Sequence, residues 1–193
     1  MKNLYGTQFN ISHIEPATHI YGPGRRFGIW LQGCSLACNG CWNKEMWSFK
    51  AIELLEREEL LKQILAETNI NGITILGGEP LQQAENTLWL IQKIKQSTSL
   101  TIMLYTGYTK PELQLQKNWD MLETNVDLLV TGRYEEELRN PNNQWFGSEN
   151  QELIYPTKSR IKQRSKPLNE VEIIIEQTGE VRVLGYPSDL SQC

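Results

Sequence analysis

Gly33-Cys34-Ser35-Leu36-Ala37-Cys38-Asn39-Gly40-Cys41-Trp42-Asn43 holds three of the four cysteines of a 193-residue chain, spaced C-x3-C-x2-C. Thiolates this close in sequence, with Gly33 and Gly40 letting the backbone curl, converge readily on one metal centre. A structural zinc site takes four protein ligands, as a rule in two separated pairs, and here the second pair is missing. Ferredoxin-type clusters also take four thiolates. Cys193 is the last residue, where chains fray, and lone histidines such as His13 and His19 are more often ordinary surface or core residues than ligands. Three ligands without a fourth read as a cubic four-iron cluster with one iron free of protein, and an open metal position is where chemistry takes place.

Downstream stands a second signal, Gly77-Gly78-Glu79-Pro80. It follows the apolar run Ile73-Thr74-Ile75-Leu76, which reads as a buried strand, and precedes a helix opening near Leu81. Glycines allow close backbone approach, a carboxylate accepts from an ammonium group, and proline suits the first turn of a helix.

The two motifs in this order resemble the radical S-adenosylmethionine superfamily. The resemblance implies that Cys34, Cys38 and Cys41 hold a 4Fe-4S cluster. It also implies that Gly77, Gly78, Glu79 and Pro80 hold the amino group of the methionine moiety. Working upstream, Gly22-Pro23-Gly24-Arg25-Arg26 is a turn signal leading into Phe27-Gly28-Ile29-Trp30-Leu31-Gln32, an apolar strand that delivers the cysteine loop. This approach is similar to that of the activating enzymes of glycyl radical proteins, with Arg26 in place of the family's arginine. Trp42, Asn43 and Trp47 continue the likeness; Trp47 is expected to pack in the core, given the area an indole buries. Many superfamily members place an aromatic residue near the adenine just before the third cysteine. Gly40 stands there, as it often does in the subgroup acting on anaerobic ribonucleotide reductase.

Further along, Arg57 to Thr68 has Leu60, Leu61, Ile64 and Leu65 at helical spacing, and Gln82 to about Gln96 forms the next helix. A strand at Leu100 to Leu104 follows, so strands alternate with helices, which argues for parallel strands with helical crossovers. That strand ends in Tyr105-Thr106-Gly107-Tyr108, which resembles a segment of the reductase activases and makes Thr106 a candidate cofactor contact. A further strand, Val126 to Val130, ends at Thr131, where the family often has an acidic residue. Glu135 to Glu137 read as a solvated helix start. Before the first turn signal, a short strand is expected to end near Pro16.

Residues 140 to 167 have the composition of a long surface loop. Within it Gly147, Ser148, Asn150 and Gln151 match a Gly-Ser-x-Asn-Gln stretch of the activases. The alternation Lys158, Arg160, Lys162, Arg164, Lys166 is either solvated or fitted to an acidic partner. Val171 to Ile175 and Val181 to Leu184 flank Gln177-Thr178-Gly179-Glu180, a hairpin signal. Gly185-Tyr186-Pro187 again looks like the family's ending.

A chain of this length with 39% hydrophobic residues suits one domain with its own core. Its net charge of −4 argues against a nucleic-acid surface. No apolar run approaches the ~20 residues of a membrane span, the first residues lack a signal-peptide core, and clustered reduced cysteines suit the cytoplasm. The fold class expected is α/β: a partial, open radical S-adenosylmethionine barrel with parallel strands and a C-terminal β-hairpin. It is expected as a single domain over 1–193, with a core at about 22–135, the loop at 140–167 and the hairpin at about 171–187. The resemblance implies an oxidoreductase that reductively cleaves S-adenosylmethionine at the cluster to form a 5'-deoxyadenosyl radical. That radical would install a glycyl radical on a partner, anaerobic ribonucleotide reductase, with a flavodoxin- or ferredoxin-type electron donor. Cofactor contacts are expected from Gly40, Trp42, Asn43, Gly77, Gly78, Glu79, Pro80 and Thr106. Two alternatives stay open: a free-standing radical enzyme acting on a peptide or small metabolite, and a non-catalytic iron-sulfur or zinc module.

Overall fold

A computed structural model describes residues 4–162, 164, 166 and 170–185. The strands and α-helices in chain order are β1 (Gln8–Thr18), β2 (Arg26–Leu31), β3 (Glu53–Glu56), α1 (Arg57–Ala66), β4 (Gly72–Gly77), α2 (Ala84–Ser97), β5 (Thr101–Thr106), α3 (Lys110–Gln114), α4 (Trp119–Asn125), β6 (Leu128–Thr131), β7 (Glu152–Ile154), β8 (Val171–Ile175) and β9 (Val181–Gly185). Seven strands join in one sheet, ordered β3-β1-β2-β4-β5-β6-β7, and β8 and β9 pair as a separate hairpin. β2, β4, β5 and β6 run parallel; the flanking strands β1, β3 and β7 are antiparallel to their neighbours. The result is a mixed α/β fold with a mostly parallel centre.

The alternation of side chains across a strand explains the two cores. Phe27, Ile29 and Leu31 of β2, Ile73 and Ile75 of β4, Ile102 and Leu104 of β5 and Leu129 of β6 share one core with Leu60 and Ile64 of α1 and Leu90, Ile91 and Ile94 of α2. The intervening residues face the other way. Trp30 and Leu76 pack with Tyr21, Met46 and Leu184, and Met103, Leu128 and Val130 pack with Trp145 and Ile161. Helices therefore cover one face of the sheet, while loops and the hairpin cover the other.

β1 runs on through Pro16 to Thr18. Its register against β2 shifts between Glu15 and Thr18, and a bulge accepts a proline because the missing N–H leaves no ladder bond broken. Two further segments stand where the sequence carries little pattern: α4, whose N-cap Asn118 makes no side-chain cap bond, and the three-residue strand β7 inside the expected loop. The 3-10 helix Glu136–Leu138 has no buried residue, in keeping with a solvated acidic turn.

The hairpin is tied to the sheet by Arg182 with Glu15, by Thr18 donating to Glu172 at 2.6 Å and by the Gly185 amide donating to the Tyr21 hydroxyl at 2.9 Å. Among the described residues no helix is long and apolar enough to cross a membrane. Tyr186, Pro187 and Cys193 lie outside the described residues.

Candidate iron-sulfur and cofactor cleft

The cysteine loop leaves the sheet at the C-terminal end of β2 and is closed by its own backbone. The Gly33 amide donates to the Met46 carbonyl at 2.8 Å and that of Cys34 to Trp47 at 3.1 Å, so the segment between them is a clasped excursion. Gln32 Nε2 reinforces the base by donating to the Glu45 and Ser48 carbonyls. Gln82 grips the near side: its Oε1 accepts from the Ser35 amide at 3.0 Å and its Nε2 donates to Ser35 Oγ at 2.6 Å. Gln83 ties the same region to β1 and β2 through Asn10 and the Gln32 carbonyl. Neither glutamine was singled out from the sequence; a polar pair just after the Gly-Gly-Glu-Pro motif, at positions the fold buries, was the available signal.

Gly77 and Gly78 lie across the end of β2. The Gly78 amide donates to the Leu31 carbonyl at 2.7 Å and the Glu79 amide to that of Gly33 at 2.9 Å. A Cβ on Gly77 would stand 2.4 Å from the Leu31 nitrogen, and one on Gly78 2.4 Å from the Gly33 oxygen. The close approach that demands glycine here is thus to the neighbouring backbone, which locks the two motifs together.

Glu79 is fully buried and anchored. Oε1 accepts from the Leu81 amide at 2.9 Å and from Thr106 Oγ1 at 3.0 Å, and Oε2 from the Gly107 amide at 2.8 Å. Burial pushes its carboxyl up to about 7, against the pull of the Leu81 and Gly107 amides and the Thr106 hydroxyl. A carboxylate offers about four acceptor positions, and Oε2, with one partner, keeps one for a donor arriving from the cleft.

Cys34, Cys38 and Cys41 are free thiols, each partly exposed, and all three line one cleft with Trp42, Asn43, Gly77, Gly78, Glu79 and Thr106. Burial raises the Cys34 thiol, opposed by the Leu36 and Ala37 amides, and raises that of Cys38, opposed by the Tyr134 amide. Of the expected contacts, Gly40 and Pro80 are absent from the cleft wall. A Cβ on Gly40 would lie 2.6 Å from Glu136, so it backs onto the acidic turn. Pro80 is buried at the start of a 3-10 helix, its carbonyl taken by Thr87. The opposite wall is built by residues that sequence reasoning did not assign to a site: Tyr134, after β6, and Phe146, with Gly147 and Gln151 from the matched stretch. Trp47 is half-buried and away from the cleft.

Other candidates stay outside. Arg26 is buried at the opposite end of β2. Thr131 is buried and donates to the Glu152 carbonyl at 3.2 Å, across to β7. His13 packs against Trp30 with the two rings tilted at 53°. Within the basic alternation, Arg160 is bound to the buried Asp127 at 3.0 Å and serves the fold.

The donor set tests which group fits. Among the described residues no three His, Cys, Asp or Glu side chains close on a point as a single ion requires. Three thiols lining one cleft suit a group that takes one thiolate at each of several corners, which is how iron-sulfur clusters are held.

The family described as a 4Fe-4S single cluster domain matches residues 20–154, most of the chain and the whole of this cleft. An anaerobic ribonucleoside-triphosphate reductase-activating protein of Pasteurella multocida (strain Pm70) is 33% identical over 153 residues, covering 76% of this chain and 96% of that protein. The protein of the same name from Haemophilus influenzae is 34% identical over 149 residues, covering 74% and 95%. The chain belongs to the family of anaerobic ribonucleoside-triphosphate reductase-activating proteins, within the radical S-adenosylmethionine superfamily. The one from Enterobacteria phage T4 is 33% identical over 150 residues, covering 75% of this chain and 92% of its own. The crystal structure of QueE from Escherichia coli overlaps 56% of this chain and 57% of its own, with a TM-score of 0.40 and 22% identity, too partial a likeness to support any step. The family match ends at residue 154, so the hairpin lies beyond it.

Proposed function

We propose that this protein is an activase that cleaves S-adenosylmethionine reductively and installs a glycyl radical on an anaerobic ribonucleotide reductase. One observation carries the reading: the three thiols of the cysteine loop and Gly77 to Glu79 face a single cleft at the C-terminal ends of the parallel strands, where parallel α/β folds gather their functional groups. Bound there, a 4Fe-4S cluster with one open iron would supply the electron that breaks the sulfonium bond, releasing methionine and a 5'-deoxyadenosyl radical. Cys34, Cys38 and Cys41 would hold that cluster as thiolates, so loading would release protons from the raised Cys34 and Cys38 thiols. The spare position on Glu79 Oε2 would accept from the substrate ammonium, with Thr106 and the Gly107 amide keeping the carboxylate aimed. Trp42, Asn43, Tyr134 and Phe146 would form the walls that keep water from a radical.

The partial barrel is supported by the order of the parallel strands, β2-β4-β5-β6, with the helices packed on one face only. One-handed crossovers in sequential order make a sheet curl toward a barrel, whereas helices on both faces mark a doubly wound sheet. The reading as a single domain over 1–193, with S-adenosylmethionine as cofactor, a flavodoxin- or ferredoxin-type donor and cytoplasmic residence, goes with this function.

The test is an anaerobic assay of the reconstituted protein with S-adenosylmethionine, a reductant and the reductase. Methionine, 5'-deoxyadenosine and a glycyl-radical doublet in the electron paramagnetic resonance spectrum of the partner are expected. Cleavage without a doublet would point to a different substrate, and no cleavage would leave a non-catalytic module.

A further inference from the structure

Between β5 and α3 the chain crosses the mouth of the cleft as a short strap, Thr106-Gly107-Tyr108, and it is pinned from both sides. On the β4 side, Glu79 takes the Thr106 hydroxyl at 3.0 Å and the Gly107 amide at 2.8 Å. On the β6 side, the Gly132 amide donates to the Tyr108 carbonyl at 3.0 Å, and Arg133 Nη1 donates to the Gly107 carbonyl at 3.4 Å. A Cβ on Gly107 would run into Leu36 of the cysteine loop and would come within 3.6 Å of Glu79 Oε2 and 3.8 Å of Arg133 Cγ. Three elements of the site therefore meet at this one residue.

Arg133 is itself fixed at both ends. Its guanidinium forks onto Glu112, Nη1 to Oε2 at 2.9 Å and Nη2 to Oε1 at 3.0 Å. Glu112 Oε2 also accepts from the Thr109 amide at 2.7 Å, within the capping box that opens α3. The backbone of the stretch after β6 is splinted by the loop that follows it. Gln151 Nε2 donates to the Gly132 carbonyl at 3.0 Å, Asn150 Nδ2 to that of Arg133 at 2.8 Å, and Ser148 Oγ accepts from the Glu135 amide at 3.2 Å. An arginine beside a cofactor cleft is ordinarily a ligand for a carboxylate. Here the two nitrogens that would form such a fork are already taken by one, and a bidentate pair fixes direction as well as charge.

We propose that Arg133 is a positioning residue for substrate recognition. By holding the Gly107 carbonyl it keeps the Gly107 amide on Glu79 Oε2, so that the acceptor position left on that oxygen stays turned to the cleft for the substrate ammonium. The inference rests on the reading above that Glu79 accepts from that ammonium. It adds that the aim of Glu79 is set from β6, two strands away, through a strap that Arg133 and Glu79 grip from opposite sides. A small loss of aim at a hydrogen-bonding group is costly, because binding and catalysis depend on held geometry.

The experiment measures equilibrium binding, by anaerobic calorimetry without reductant, of S-adenosylmethionine, of its analogue lacking the amino group and of its analogue lacking the carboxylate, to reconstituted wild type and Arg133→Met. Methionine keeps the stem of the side chain and removes the fork. Wild type is expected to favour S-adenosylmethionine over the amino-free analogue by about tenfold or more, the size of a charge-assisted hydrogen bond, and Arg133→Met to cut that ratio to below about threefold. The penalty for losing the carboxylate is expected to be equal in the two proteins. In the cluster-free proteins, the Gly107 amide is expected to exchange its hydrogen faster in Arg133→Met. Should Arg133→Met fail to fold, Glu112→Gln, which loosens the fork from its other end, is expected to move both readouts the same way by less. An unchanged amino-group ratio, or a variant that loses discrimination for the carboxylate instead, would overturn the proposal, the second by making Arg133 a direct ligand. Equal binding of S-adenosylmethionine and the amino-free analogue by the wild type would refute the assignment of Glu79 itself, an outcome distinct from either.

Discussion

Two buried ionisable groups stand at opposite ends of the same parallel strands, and their hydrogen-bonding surroundings differ in one respect. Arg26, the first residue of β2, sits among the opening residues of β4 and β5. Its Nε donates to Thr74 at 2.7 Å, Nη1 to the Pro23 carbonyl and Thr101 Oγ1, and Nη2 to the Ile73 and Thr101 carbonyls. A guanidinium has five N–H donors, and here each has a partner within the protein, so none remains for a ligand. Burial lowers it to about 10, still charged at neutral pH. Glu79, just past the end of β4, is as fully buried but keeps an acceptor position on the cleft side. A buried ionisable group whose hydrogen-bonding capacity is exhausted closes the fold; one with capacity left beside a cavity is available for chemistry.

The largest effect is expected at the lower end. Arg26→Met leaves several buried acceptors without donors, and chemical denaturation should show a loss of about 3–5 kcal/mol, while any folded fraction still takes up its cluster. Loss of cluster at undiminished stability would mean that the lower end serves the site and not the fold. At the upper end the signature is a pH dependence. The Glu79 carboxyl is raised from 4.5 to about 7 in the folded protein, so the folded state binds the extra proton. Its contribution is fully present below about pH 4.5 and is lost as pH rises through about 7, an effect on the order of 3 kcal/mol. Glu79→Gln should remove this slope from the cluster-free protein, so the stability difference between variant and wild type changes between about pH 5 and about pH 7.5; a constant difference would show that Glu79 is not held neutral by burial. Glu112 provides the smallest effect and the control. Its carboxyl is held down at about 2, chiefly by the Arg133 side chain, yet the pair is about 40% exposed, and solvent screening leaves such pairs worth little. Glu112→Gln should shift stability by no more than ~0.5 kcal/mol near neutral pH, with what is lost vanishing only as the wild type is taken well below pH 4.

What could be read from the amino acids divides along physical lines. β2, β4 and β5 announced themselves because strands buried on both faces must be apolar throughout, and the cysteine loop because metal ligation needs particular residue types at short spacing. Pro16 hid the length of β1, since its bulge depends on the partner strand. α4 is short and lacks a side-chain cap, and β7 is a three-residue edge with no alternation to detect. In the cleft, the three thiols, Trp42, Asn43, Gly77, Gly78, Glu79 and Thr106 were foreseeable as one group. Tyr134 and Phe146 were not, because an aromatic side chain in a polar loop carries no mark of the cavity it will face. Ser148, Asn150 and Gln151 matched a family stretch, but their composition alone describes a solvated loop. Only the folded chain shows that their amides and hydroxyl go to consecutive backbone groups of the segment beside Cys38.

A cluster that keeps one iron open beside the three cysteines is central to the proposed chemistry, and the most direct measurement is the electron paramagnetic resonance spectrum of the reduced, anaerobically reconstituted protein before and after S-adenosylmethionine is added. The expected result is a 4Fe-4S signal whose shape changes on addition of the nucleotide and which is lost in Cys38→Ala. A signal indifferent to S-adenosylmethionine, or one that survives in Cys38→Ala, would contradict it.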